Sequence, residues 1–166
     1  MRLRVLIVLI VLAASAAVMI LGLAQIKLDA LHEPSRLEIF FATKVKRILI
    51  ARSSRSGIPP APTDLQASIK EGDTVYGTDC AACHGLDGHT STDTGRWMYP
   101  RVSDLTSPEV QQYSDRELFW IVKNGIRLSG MPAFGKVESD DHIWNLVHYL
   151  GTLRRGRSEE QEPASE

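Results

Sequence analysis

The five residues Cys80-Ala81-Ala82-Cys83-His84 limit this 166-residue chain more than any other feature. They contain the only two cysteines in the sequence, separated by two residues, with a histidine directly after the second. That is the C-x-x-C-H pattern of covalent c-type haem attachment. Thiols at this spacing reach the two vinyl groups on one porphyrin edge. The adjacent imidazole falls under the ring, where it binds iron as the proximal ligand. A thioredoxin-type redox pair would follow a buried strand in an α/β setting, and no such strand is legible around Cys80. A structural zinc site needs four ligands, and there is no second pair of cysteines to supply them. A plain disulfide leaves His84 without a role. The expected cofactor is therefore one covalent haem c, held by Cys80 and Cys83, with His84 on the iron.

A histidine-bound haem iron calls for a ligand on its other side. Met1 is the initiator and Met19 lies inside an apolar run. Met98 sits close after His84, in the aromatic segment Arg96-Trp97-Met98-Tyr99-Pro100. Met131 lies in Leu128-Ser129-Gly130-Met131-Pro132-Ala133-Phe134-Gly135, where glycines and a proline specify a loop. A thioether on such a loop suits closure over a cofactor, although a loop methionine can also fill a gap in a core. Met131 is the expected axial ligand, with Met98, His89, His142 and His148 as alternatives. Arg96, Trp97, Tyr99 and Arg101 carry donors suited to haem propionates.

Beyond this motif the stretch from Asp64 to Leu153 resembles the single-haem class I cytochromes c. Gly72-Asp73-Thr74-Val75-Tyr76 looks like the family's first helix, where a glycine permits close crossing of the last helix and an aromatic packs into that crossing. Ile143-Trp144-Asn145-Leu146-Val147-His148-Tyr149-Leu150 resembles that last helix. The resemblance also implies an axial role for Met131 and a haem-packing role for Leu105. Where the family places a proline whose carbonyl receives the proximal histidine, this chain has Ser103. The resemblance thus leaves two candidates to orient His84, Pro100 from a shifted position or the Ser103 carbonyl.

The expected fold is all-α: a small cytochrome c haem domain preceded by a single transmembrane helix and a basic amphipathic helix. The expected divisions are an anchor at 1–26, the amphipathic helix at 34–56, a proline-rich linker at 57–63, the haem domain at 64–153 and a disordered polar tail at 154–166. Val5 to Ala24 is almost unbroken Val, Leu, Ile and Ala, long enough for the ~30 Å of a bilayer core. A signal peptide cut near Gly22-Leu23-Ala24 competes with a permanent anchor, but signal peptides have shorter apolar regions. Arg2 and Arg4 favour a cytoplasmic N-terminus and so a haem domain on the periplasmic or outer side. Leu37, Phe40, Phe41, Val45, Ile48 and Leu49 recur at helical spacing among Lys44, Lys46, Arg47, Arg52 and Arg55. Such a helix lies either in a membrane interface or against protein.

Within the haem domain, a first helix is expected over 63–82 and a loop of little regular structure over 85–107. Ser114-Asp115-Arg116-Glu117 reads as a capping box opening a helix that stops at Gly125. A last helix opens at Ser139-Asp140-Asp141 and ends in Arg154-Arg155.

Charge is divided along the chain. Residues 1–62 carry a net +6 and residues 63–153 a net −6, which the overall −1 conceals. An acidic haem domain docks most readily on a basic surface. These readings point to one-electron transfer by a membrane-tethered protein, since methionine and histidine ligation closes the iron to substrate. The resemblance implies a quinol-oxidising donor and an oxidase or reaction-centre acceptor, or a place as the monohaem subunit of such a complex. The expected partners are membrane lipid and a redox protein, with no nucleic acid. A five-coordinate gas sensor or peroxidase-like enzyme, and a structural subunit scaffolding a membrane complex, are the competing classes.

Overall fold

The computed structural model describes residues 2–24, 31–89 and 92–160, with backbone only for Ala24 and residues 154–160. It separates into two compact units, Met1–Glu33 and Pro34–Glu166. The first contains helix α1 (Arg2–Ala24), whose apolar side chains are exposed on every face. It is long and apolar enough to cross a membrane. Its one hydroxyl before Gly22, on Ser15, donates to the Val11 carbonyl at 2.8 Å, so the helix satisfies its own polar group. Residues 25 and 26 of the expected anchor lie outside the described residues.

The described part of the second unit is helical, with no strand. Its elements are α2 (Arg36–Ser53), α3 (Leu65–Asp79), α4 (Ala81–His84), α5 (Asp93–Trp97), α6 (Pro108–Gln111), α7 (Asp115–Asn124), a 3-10 turn Phe134–Lys136 and α8 (Asp140–Glu160). Short polar side chains start most of them. Ser35 receives Glu38 N, Asp64 receives Ala67 N and Ser107 receives Val110 N, each satisfying an orphan donor of the first turn. Ser114 and Glu117 form the expected reciprocal capping box on α7. Gly125 ends α7 at φ 67°, a conformation that glycine adopts without Cβ strain.

The core is the crossing of α3 and α8. A Cβ at Gly72 would run into the Asn145 carbonyl and come within 2.9 Å of Tyr149 Cβ, so only glycine lets the two backbones meet. One turn on, Tyr76 is fully buried with its ring centroid 5.1 Å from that of Tyr149. A buried polar chain runs through the same crossing. Ser68 Oγ donates to Asn145 Oδ1 at 2.5 Å, and Asn145 Nδ2 donates to Glu71 Oε2 at 3.1 Å. Ser68 has one proton, so His148 Nδ1, 2.7 Å away, is the donor to it. Helix α7 packs on α8 through Phe119 and Trp144, 4.7 Å between centroids, and through the Lys123–Asp140 pair at 2.5 Å. Burying an aromatic such as Phe119 contributes about 2–3 kcal/mol.

Four expectations change here. The first helix is not continuous over 63–82. It breaks at Cys80 (φ −112°), and the Tyr76 hydroxyl donates to the Gly85 carbonyl at 2.7 Å across the break. The 85–107 loop contains a helical turn, α5. The proline-rich segment at 57–63 is extended but is not a free linker, because Ile58 and Ala61 pack on the core and the Pro59 carbonyl receives Trp144 Nε1 at 3.1 Å. The boundary between compact units therefore falls after Glu33. Finally, α8 continues through Glu160, into the segment expected to be a disordered tail, where Arg and Glu favour helix. Residues 161–166 of that tail lie outside the described residues.

Helix α2 belongs to the haem-domain unit. Its C-terminal half docks on α7 through Ile50, which is 2% exposed, and through Arg47, stacked 5.1 Å from the Tyr113 ring centroid. Arg47 also donates to Gln112 Oε1 at 3.0 Å, and Arg116 reaches back to the Ser54 carbonyl at 3.3 Å.

Candidate functional site

Cys80, Cys83 and His84 stand on one turn at the end of α3, with both thiols free and half-buried. Burial, with smaller contributions from Asp79 and Cys83, pushes the Cys80 thiol up to about 12. His84 Nδ1 lies 3.1 Å from the Ser103 carbonyl. A carbonyl only accepts, so Nδ1 carries the proton, and the neutral imidazole presents its lone pair on Nε2. Burial lowers the His84 pKa, outweighing the Ser103 bond that acts to raise it. The ring is thus neutral at pH 7, the form that binds a metal. Of the two groups considered for orienting it, the Ser103 carbonyl makes the bond.

Helix α5 puts Ser103 there. Thr92 caps α5 by receiving Gly95 N at 3.2 Å, while its own hydroxyl donates to the Ala82 carbonyl at 2.7 Å. Gly95 is pressed so closely on α4 that a Cβ would collide with the Cys83 carbonyl. Val102 N then bonds the Gly95 carbonyl at 3.3 Å, bringing the chain back to His84. Thr92-Asp93-Thr94-Gly95 was the available sequence signal, a cap residue followed by an acid. Asp104 fixes the next turn. Burial acts to raise its pKa, but hydrogen bonds from Thr106 Oγ1, His89 and Thr106 N outweigh it and hold the carboxyl below its ordinary value.

The Met131 loop is tied to the end of α7. Ile126 N reaches the Met131 carbonyl at 3.4 Å, and Met131 N donates to Ser129 Oγ at 3.2 Å. Met131 itself is half-buried against the core. Met98 lies beside it in an arrangement that sequence spacing did not reveal. A Cβ at Gly130 would come within 2.5 Å of Met98 Sδ, so the two methionines share one corner of the molecule. The alternative histidines are engaged elsewhere: His89 with Asp104 at 2.8 Å, His142 with Glu138 at 2.7 Å, and His148 in the α3–α8 crossing.

Among the expected propionate donors, Arg96 pairs with Asp93 on its own helix and the Tyr99 hydroxyl donates to Glu38 Oε1 of α2 at 2.9 Å. Trp97 is 80% exposed. Leu105 is half-buried on the core, with its amide on the Gly88 carbonyl at 2.8 Å. Arg96, Tyr99 and Leu105 are therefore placed by contacts within the protein.

The donor set fits a haem c. It offers two thiols on one turn, an imidazole whose Nδ1 is engaged and whose Nε2 lone pair is available, and a half-buried thioether. Cys80, Leu105, Ile126, Met131 and Phe134 are partly buried apolar side chains packed against the core. When bound, haem supplies an iron that changes oxidation state by one electron.

Comparison with known proteins agrees with this chemistry. No curated protein matches the chain. Among solved structures, a chain of the reducing HAO-like protein complex of Kuenenia stuttgartiensis is similar, with 27% identity and a TM-score of 0.49 over 58% of this chain. The match spans 47% of that chain, so this protein covers about half the length of its structural relative. The family described as cytochrome c oxidase, cbb3-type, subunit III matches residues 67–150, from α3 through most of the described part of α8. These are the residues that build the helix crossing, the haem-attachment turn and the methionine loop, and with half of its length matched the chain belongs to this c-type cytochrome family.

Proposed function

We propose that this protein is a one-electron carrier for one haem c, which Cys80 and Cys83 would hold as thioethers and His84 and Met131 as iron ligands. The observation that carries the reading is the Nδ1–Ser103 carbonyl bond, which leaves His84 Nε2 as the metal-binding atom. Ser103 fixes the ring orientation and raises the basicity of the coordinating nitrogen. Met131, held by Ser129 and Ile126, would be the second iron ligand, and its thioether would raise the reduction potential. Were both His84 and Met131 to hold the iron, no site on it would stay open to substrate, and the chain would pass electrons without chemistry on a bound molecule. Leu105 would pack on the group, and Trp97 and Arg96, the latter now paired with Asp93, would offer donors to its propionates.

Helix α1 tethers the carrier to the cytoplasmic membrane with the haem domain on the outer face. The donor is a quinol-oxidising complex and the acceptor an oxidase or reaction centre, or the chain is the monohaem subunit of one such complex. The test is the absorption spectrum of the purified protein. A low-spin iron with the far-red methionine–iron band is expected, and the band should vanish in Met131→Ala while surviving in Met98→Leu. The reverse pattern would move the axial role to Met98, and no band in the native protein would sink the carrier reading.

A further inference from the structure

Helix α2 has two working faces. At 100° per residue, Ile50 and Arg47 point one way and meet the haem domain. Leu37, Phe41, Val45, Ile48 and Leu49 point the other way, and each is 52–70% exposed. The outer stripe is continuous over the length of the helix, at the i, i+4, i+8, i+11 and i+12 positions of one face. Soluble surfaces rarely leave so many large apolar side chains in a row. Lys44 borders the stripe and Arg52 stands at its end. The helix as a whole carries five basic residues and the single acid Glu38, which receives Tyr99.

We propose that this outer face of α2 lies on an anionic lipid surface, with the apolar stripe among the acyl chains and the bordering Lys44 and Arg52 at the headgroups. The inference rests on the reading of α1 as a membrane anchor. Eleven residues separate Ala24 from Arg36, so even a fully extended connection keeps α2 within about 40 Å of the end of α1. Charge selects lipid over protein. A second copy of this chain would set Lys44 and Arg52 against the same two cations across a two-fold contact. A basic partner suited to the acidic haem domain is repelled by the same helix. An anionic bilayer satisfies both the stripe and its cationic border, whose long side chains extend to the headgroups. Because Ile50 and Arg47 bind the domain from the opposite side, the helix would lie between domain and bilayer and fix how the haem domain faces the membrane.

Site-directed spin labelling of the full-length holoprotein in vesicles tests this. Cys80 and Cys83 are consumed by haem, so only introduced cysteines react, and a retained low-spin spectrum certifies each variant. Labels at Phe41→Cys and Ile48→Cys should favour oxygen over a water-soluble nickel reagent, as Leu12→Cys does in the anchor, while Lys70→Cys favours nickel. The preference should be stronger by several-fold in phosphatidylcholine mixed equally with phosphatidylglycerol than in phosphatidylcholine alone. Labels at 41 and 48 that behave like 70 while 12 is in lipid overturn this inference and leave the anchor standing. Labels at 41 and 48 shielded from both reagents mean that protein covers the stripe, which also overturns it. Equal signals in the two lipids overturn the anionic assignment. A water-accessible label at 12 removes the anchor and this inference with it.

Discussion

Ser103 acts on His84 through its backbone, so its side chain is dispensable to the bond. Ser103→Ala should leave the absorption spectrum and midpoint potential unchanged, as read by redox titration. Gly95→Val should alter both, because any Cβ at 95 collides with the Cys83 carbonyl and displaces the segment that brings Ser103 to the ring. Asp104, the next residue, ties its turn to the ionised carboxylate. Its carboxyl is held below the usual range by Thr106 and His89 despite partial burial. A depressed folded-state pKa contributes stability that is present above the ordinary value of about 3.9 and lost as pH falls through the folded value. Acidification below about pH 4 should therefore loosen this turn, read as a low-spin to high-spin change, and the change should be shallower with pH in Asp104→Asn. The C-x-x-C-H motif was legible at this scale because thioether attachment demands one local pattern. Ser103 and Pro100 could not be separated, since the choice depends on where a folded loop returns.

At the scale of elements, the α3–α8 crossing and the capping of α7 give two separable predictions. Gly72→Ala inserts a methyl between backbones that cannot part, a cost of about 3 kcal/mol, and should lower Tm by more than about 10 °C. Ser114→Ala removes one exposed cap and should cost about 1 kcal/mol, a fall of several degrees. Thermal unfolding followed by far-UV circular dichroism checks both, and equal losses would refute the close-crossing account. The capping box was readable because its partners lie three residues apart. The turn α5 was missed because its order comes from Thr92 and Gly95 packing on a distant segment of chain. The break at Cys80 was missed for a similar reason: hydrogen bonding continues through it, and the Tyr76–Gly85 bond spans the break.

At the scale of the whole molecule, the acidic haem domain and the basic α2 share one compact unit. Charge is separated across that unit, with the basic side carried by a helix whose inner face is already docked. Docking of a basic redox partner on the acidic remainder should be electrostatic. Its bimolecular electron-transfer rate, measured by stopped flow, should fall as salt rises, since the Debye length shrinks from about 10 Å at 0.1 M to about 3 Å at 1 M. A rate indifferent to salt would place the docking surface elsewhere. The sequence alone determined the cofactor chemistry, the helical class, the apolar span and the charge division, because each is written in neighbouring residues or in a period of a few residues. Tertiary structure alone decided which carbonyl holds His84, that the proline-rich segment is docked and not free, that Met98 lies against Gly130, and that α2 turns one apolar face to the domain and the other outward. Those outcomes depend on contacts between residues far apart in the chain, whose choice follows from packing the whole core and not from any local pattern.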